Sequence, residues 1–336
     1  MPARYLVTGG CGFIGTALIG RIRQAEPAAA IRVLDSLLVG TAEDLRRVSA
    51  FTRRPAGDCR AATGVVLVEG DVRDFDTALH CADGVDCIVH LAASTGVPIS
   101  VEDPRTDMES NVIGTFNMLE AARRSSVRKF VFASSGAPIG EAQPPFHEEI
   151  PARPVSPYGA SKLAGEGYCC AYAKTFGLST VSLRFGNVYG PGSRHKSSVI
   201  AKFIRQALLG QTCEIYGDGT QSRDFIYIDD LVNAVLCAIE RNVSGELFHI
   251  ATGREHTVAE VVVLISEILR ERGITMSIEH GAWRTGDVMR NFADTRKAES
   301  VLGWRPATDL RGGISNTAVY FIQQGCGKIS EGLAAI

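Results

Sequence analysis

The chain has 336 residues, 45% of them apolar and 21% charged, as expected of a globular protein with one large or two ordinary domains. A formal net charge of −2 argues against a nucleic-acid binder, which normally carries a basic excess. No apolar run is long enough to span a bilayer, and the strand-like Tyr5-Leu6-Val7 follows Met1 too closely to leave room for a signal peptide.

Nine cysteines form no C-x-x-C pair, so they read as reduced, mostly buried small residues of a cytoplasmic protein. The seven histidines do not cluster with them at ligand spacing, so no zinc or other metal site is expected.

Short β-branched runs alternate with helix-like stretches through the first half. Residues 4–7, 31–34, 65–68, 87–89 and 129–132 read as buried strands, with helices over 13–24, 74–81, 107–124 and 158–176 and a sixth strand over 179–185. This alternation predicts βαβ units in an α/β fold: a Rossmann-type, doubly wound parallel sheet that binds ligands at the carboxyl ends of its strands. Residues 38–62, polar and arginine-rich, read as one helix plus a loop.

The second half is more mixed, with helices over 199–209, 229–240 and 258–272 and short strands near 214–216 and 247–250. The glycine-rich stretch 186–198 reads as a crossover. The expected division is a nucleotide-binding domain over 1–185 and a smaller mixed α/β cap over 186–336, with segments near 220–250 returning to the first.

Thr8-Gly9-Gly10-Cys11-Gly12-Phe13-Ile14-Gly15 lies between the first strand and the first helix, where glycines let backbone approach a pyrophosphate and the helix N-terminus offers free N–H donors. Asp35 closes the second strand twenty residues beyond Gly15, where a carboxylate takes ribose hydroxyls and repels a 2′-phosphate, favouring NAD over NADP. Asp71 and Val72 follow the third strand, His90-Leu91-Ala92-Ala93 the fourth and Ser134-Ser135 the fifth, all at the ligand edge. Alone, Asp71 reads as a helix cap, His90 as a structural histidine and the serines as a turn.

Tyr158 and Lys162 stand four residues apart after Pro151-Ala-Arg-Pro154-Val-Ser-Pro157, a stretch suited to precede a helix. Four residues are about one helical turn, so phenol and ammonium share a face, and a nearby cation lowers a tyrosine pKa towards general-base range. Such pairs are common by spacing alone. The glycine loop, Asp35 and the serines give this one its meaning.

Together with Leu183-Arg-Phe-Gly-Asn187-Val-Tyr-Gly-Pro191, Tyr216-Gly-Asp-Gly-Thr-Gln-Ser-Arg223-Asp-Phe-Ile-Tyr-Ile-Asp-Asp230, Gly286-Asp287 and Leu302-Gly-Trp304, these motifs resemble the extended short-chain dehydrogenases/reductases of the nucleotide-sugar epimerase/dehydratase family. The resemblance runs from Thr8 to about Pro306. It implies NAD held by Gly9, Gly12, Phe13, Ile14, Gly15, Asp35, Asp71, Val72, Leu91, Ala92, Ala93, Tyr158 and Lys162.

It also implies Tyr158 as the base, Lys162 lowering its pKa, Ser135 on the reacting oxygen and Ser134 beside it. Asn187 and Arg223 would hold the diphosphate, Ser198, Val199 and Tyr216 would lie near the nucleotide base, and Arg284, Asp287 and Asn291 would meet the substrate late in the chain. A homodimer through helices 107–124 and 158–176 is implied, with Ala164, Gly165, Gly167 and Cys169 allowing close contact.

Within that family, 4,6-dehydratases place Asp-Glu after the active-site hydroxyl residue. Here Gly136-Ala137 stand there and cannot do that chemistry, and a decarboxylase's glutamate is missing too. The resemblance therefore implies NAD-dependent epimerisation at C4 of a UDP-hexose through a transient 4-keto sugar. The alternatives are a UDP-glucuronate epimerase or decarboxylase, less a 4,6-dehydratase or a silent dinucleotide-binding module.

Pro138 and Ile139 replace the family's usual Val-Tyr and are expected to reshape the sugar loop. Asn291 sits where a pocket-gating residue is expected. Arg194-His195-Lys196 is a candidate for a sugar carboxylate, although such loop clusters are usually solvated.

Overall fold

The computed structural model describes residues 3–283 and 289–325. In β1 (Arg4–Thr8) successive side chains point to opposite faces, so Leu6 and Val7, both wholly buried, enter two different cores. Leu6 packs with Ile88, Phe130 and Met118, and Val7 with Val89, Val131 and Ile19. A strand buried on both faces needs helices above and below it, which dictates the doubly wound arrangement.

The chain continues through α1 (Phe13–Ala25), β2 (Ala30–Asp35), α2 (Ala42–Arg46), β3 (Thr52–Arg53), β4 (Gly64–Glu69), α3 (Phe75–Ala82) and β5 (Cys87–His90). Next come α4 (Val97–Glu102), α5 (Pro104–Met108), α6 (Gly114–Arg124), β6 (Lys129–Ser135), α7 (Pro157–Phe176) and β7 (Ser179–Phe185). Then follow β8 (Asn187–Tyr189), α8 (Val199–Leu208), β9 (Cys213–Tyr216), β10 (Ser222–Arg223), β11 (Phe225–Tyr227) and α9 (Ile228–Glu240). The last elements are β12 (Glu246–Ile250), β13 (His256–Thr257), α10 (Val258–Arg270), β14 (Ile278–Gly281) and α11 (Leu310–Gln323).

Eight strands form one parallel sheet in the order β12-β7-β6-β5-β1-β2-β4-β3. Strand order reverses at β1, which lies between β2 and β5, and the crevice at that switch point is where such sheets bind ligands. The short strand in residues 247–250 joins this sheet beside β7, and α9 packs on α1. The remaining strands make three two-stranded ladders: β8 with β11, β9 with β14, and β10 with β13.

Two predicted segments differ in detail. The helix expected over 107–124 is α5 and α6 separated by a π-helical turn, Glu109–Ile113, which carries Asn111 into the interior. Residues 38–62 hold α2, capped by a reciprocal Thr41–Asp44 box, then the edge strand β3 and a 3₁₀ turn.

Candidate active site

The glycine loop turns sharply between β1 and α1. Gly9 is left-handed at φ +67°, and a Cβ there would sit 2.8 Å from the Ala92 nitrogen, so the loop lies flat against the chain leaving β5. A Cβ on Gly15 would come within 2.5 Å of Gly9 O and Gly10 Cα, so this glycine lets α1 dock on the loop. At Gly12 a Cβ would meet only Gly9 O, at 3.2 Å, and project into the open cradle before the helix. Gly12 is the N-cap of α1 and brings no side chain, leaving the first-turn N–H donors of Phe13 and Ile14 for an anion.

Asp35 is buried, its oxygens accepting from the Cys11 and Leu37 nitrogens at 2.8 Å each, so it ties the glycine loop to the turn after β2. Burial raises its pKa, against those two hydrogen bonds. Asp71 accepts twin bonds from Arg73 at 2.9 and 2.7 Å, which hold its carboxyl below the usual range. Val72 is buried against Gly114. Leu91 and Ala92 pack against the cores, and Ala93 follows them at the same edge. The cradle, its uncapped helix and the two carboxylates suit a dinucleotide.

Helix α7 begins with Pro157 at its first position and Ser156 as N-cap, whose hydroxyl accepts from the Gly159 nitrogen at 3.1 Å. Tyr158 therefore sits in the first turn, partly accessible from the crevice, with Lys162 buried behind it. The Lys162 ammonium donates to Ala133 O at 3.0 Å and lies 5.9 Å from the centre of the Tyr158 ring.

Burial pushes the phenol up to about 12. A hydrogen bond with the Ser135 hydroxyl opposes this, and Asp107 reinforces it. In the chain alone burial sets the direction, and the Lys162 ammonium is turned towards the Ala133 carbonyl. Burial also lowers Lys162, to about 8, against the pull of Asp107 and Glu166.

The two serines part company because they are successive strand residues. Ser135 faces the crevice, near Tyr158, and accepts from the Ala137 nitrogen at 3.2 Å. Ser134 is buried on the other face, donating to Glu166 Oε1 at 2.5 Å, so it does not share the position expected beside the reacting oxygen. Glu166 also receives a bidentate pair from Arg184 at 2.8 and 2.7 Å, both side chains being buried. His90 is enclosed between the hydroxyls of Thr8 (2.7 Å) and Thr115 (3.1 Å), a structural histidine that burial pushes down to about 3.

Several substrate candidates converge around Asp224. The Asn187 nitrogen donates to Asp224 O at 2.8 Å and its amide to the same oxygen at 3.3 Å. Arg223 precedes Asp224 and donates to Ser222 O at 2.7 Å. Asn291 lies two residues before Ala293, whose nitrogen donates to Asp224 Oδ2 at 3.5 Å. The Asp224 carboxylate itself closes a turn on Thr252 and Gly253, and Asp230 holds the nitrogens of Ala307 and Thr308, so these two of the motif's four aspartates serve the scaffold.

Ser198 is the N-cap residue of α8, where Val199 begins, and the helix packs on β9. Lys202 of α8 lies 5.5 Å above the ring of Tyr216 in β9. Arg284, Gly286 and Asp287 fall outside the described residues.

Residues 5–251 match the model of the NAD dependent epimerase/dehydratase family. The chain belongs to this family. It is 35% identical over 323 residues to the UDP-glucose 4-epimerase of Mycolicibacterium smegmatis, covering 95% of this chain and 98% of that one. Among solved structures, the UDP-glucose 4-epimerase of Thermotoga maritima with UDP-glucose superposes with a TM-score of 0.85 at 32% identity, over 96% of this chain and 99% of its own. The UDP-glucose 4-epimerase of Thermus thermophilus in complex with NAD gives 0.81 at 33% identity, over 95% and 99%.

Against the family pattern, two features of this chain stand out. Ile139, in place of the usual tyrosine, is wholly buried with Phe146, Ala251 and Ala293, so it packs beneath the loop rather than lining a pocket. Arg194 and His195 reach back to Asp44 in the α2 capping box, and Lys196 lies 6.0 Å from the ring centre of Phe13. The expected carboxylate-binding cluster is therefore engaged at the dinucleotide side of the crevice.

Spacing also hid some residues. Glu166 stands four after Lys162 on the same helix, one turn further along the face that carries Tyr158, and that periodicity was its only signal. Arg184 and Asp107 come from other elements and had none.

Proposed function

We propose that this enzyme inverts C4 of a UDP-hexose, holding NAD as a retained cofactor. The observation that carries the reading is the Ser135–Tyr158–Lys162 constellation beside Gly136-Ala137, which offers one acid/base group and no second pair for water elimination. NAD, when bound, supplies the ring that takes hydride from C4 and returns it, and with it a positive charge.

Tyr158 Oη accepts the proton of the C4 hydroxyl and gives it back to the carbonyl oxygen once the sugar has turned its other face. The Ser135 hydroxyl orients that oxygen, and the positive charge that bound NAD would bring, together with the Lys162 ammonium, would offset the burial that raises the phenol in the chain alone. Gly9, Gly12, Phe13, Ile14, Gly15, Asp35, Asp71, Val72, Leu91, Ala92 and Ala93 form the NAD side, with a 1–185 nucleotide-binding domain and a 186–336 cap from which segments near 220–250 return to the first domain. Asn187 and Arg223 hold the diphosphate; Ser198, Val199 and Tyr216 the base; Arg284, Asp287 and Asn291 complete the substrate side.

Exposed Phe116, Tyr168 and Phe176 on α6 and α7 support a homodimer through these helices. Of the small residues considered for that face, Gly165 and Cys169 instead pack inside the protomer: a Cβ on Gly165 would strike the Phe132 ring at 2.4 Å, and Cys169 is buried in the same core. The cysteines described are all free, which suits the cytoplasm.

Incubation of the purified enzyme with UDP-glucose, UDP-N-acetylglucosamine and UDP-glucuronate, with product separation, tests the activity. UDP-galactose formation without NADH accumulation is expected. No change at C4 in any of the three would overturn it.

A further inference from the structure

Asp107, at the end of α5, is 1% exposed, and its Oδ2 has no hydrogen-bond partner. A buried carboxylate without a cation is costly, and no ion pair to it is found among the described residues, so it calls for an explanation. Its other oxygen accepts from the Asn111 amide at 2.9 Å. The same amide, its two hydrogens shared among three acceptors, donates to Ser94 O at 2.9 Å and Ser161 Oγ at 3.1 Å, and Ser161 donates to Tyr158 O at 3.0 Å. A chain of hydrogen bonds thus runs from Asp107 to the backbone of Tyr158, across the contact between α5 and α7.

We infer that Asp107 is a positioning residue for the Tyr158–Lys162 pair: its carboxylate is the counter-charge to the buried Lys162 ammonium and anchors, through Asn111 and Ser161, the first turn of the helix that carries both. The inference rests on the reading of Tyr158 and Lys162 given above.

The groups that act on Lys162 can be taken element by element. Glu166 and Cys169 act from its own helix, and Glu166 is already neutralised by Arg184. From β5, His90 is neutral, pushed down to about 3 by burial with Lys162 contributing. From β6 the ammonium meets only the Ala133 carbonyl and the face of Phe132, 5.1 Å from its centre. Tyr158 lies one turn away. Asp107 is therefore the one carboxylate acting on Lys162 that has no cation of its own among the described residues, and it raises the pKa of phenol and ammonium alike.

Asp107→Asn keeps the shape and removes the charge. Two measurements test the inference on the full chain with its bound cofactor. The first is a thermal melt in two backgrounds. With Lys162 present, D107N should lower the melting temperature. With Lys162→Met, where the carboxylate is left uncompensated, D107N should raise it. The sign reversal needs no substrate, so it stands or falls apart from the sugar assignment. A residue that merely accepts the Asn111 bond would lower both melts, and that result, or a failure of D107N to fold in either background, would overturn the inference. Failure to fold only with Lys162 present supports it.

The second is the pH profile of kcat for C4 inversion. Loss of the counter-charge should move the whole bell to lower pH by roughly one unit and cut kcat at pH 8 about tenfold, with KM little changed. An unmoved profile would overturn the electrostatic role.

Discussion

The two sides of the crevice are built differently. On the side proposed to handle the proton, Tyr158, Lys162 and Ser135 rise from a twenty-residue helix and a central strand, backed by the buried Ser134–Glu166–Arg184 network. On the side proposed for the sugar nucleotide, Asn187, Arg223 and Tyr216 sit in strands of two to four residues, held by turns that close on Asp224 and Asp230. The first arrangement fixes atoms through packing, as acid/base chemistry needs. The second fixes the backbone of short strands through turns. Substitutions on the first side should therefore act on kcat and stability, and those on the second on KM.

The sharpest break of that contrast is Tyr158→Phe. It should cut kcat by about 10²–10⁴ while bound NAD, read from its absorbance after denaturation, is unchanged. Glu166→Ala should follow, costing about 3–5 kcal/mol in denaturant unfolding because Arg184 is left buried without its partner. On the other side, Arg223→Ala should raise KM by about 10- to 100-fold, the loss of a charged hydrogen bond, with kcat within a few fold. If kcat falls instead, the contrast between the two sides fails.

The serine pair makes a finer test. Ser134→Ala should cost about 1–2 kcal/mol of stability and leave kcat within about twofold, whereas Ser135→Ala should do the reverse, cutting kcat at least tenfold. Equal effects would mean that strand alternation does not separate them.

The smallest effect is in pH. Burial pushes both His90 and His249 down to about 3, so below 6.5 the unfolded chain binds protons that the folded one refuses. Their stabilising contribution is complete above pH 6.5 and is lost as pH falls towards 3. Between pH 7.5 and 5.5 the expected loss is about 1.4 kcal/mol per histidine, visible as a falling melting temperature that His249→Gln should flatten.

Much of the fold was legible because its signals are local. A strand buried on both faces writes a continuous β-branched run, and the prolines up to Pro157 put the helix start at Tyr158, one residue after the Pro157 that opens α7. The π-helical turn at Glu109–Ile113 was not legible: it exists because Asn111 bonds Ser94, Asp107 and Ser161, partners up to fifty positions away. The candidate site divides in the same way. The glycine loop and the Tyr158/Lys162 spacing stand in contiguous residues, whereas the engagement of Arg194 and His195 with Asp44 joins segments 150 residues apart.

From the sequence alone came the strand–helix alternation, the dinucleotide loop and the presence of one acid/base residue without the Asp-Glu of a dehydratase, since each is carried by neighbouring residues. Only the tertiary structure decided that Ser134 turns away to Glu166, that Ile139 packs with Phe146 and Ala293, and that burial raises the phenol of Tyr158 in the chain alone. Those outcomes depend on burial and on charges brought together from distant strands and helices, and such distances are set by packing, not by spacing along the chain.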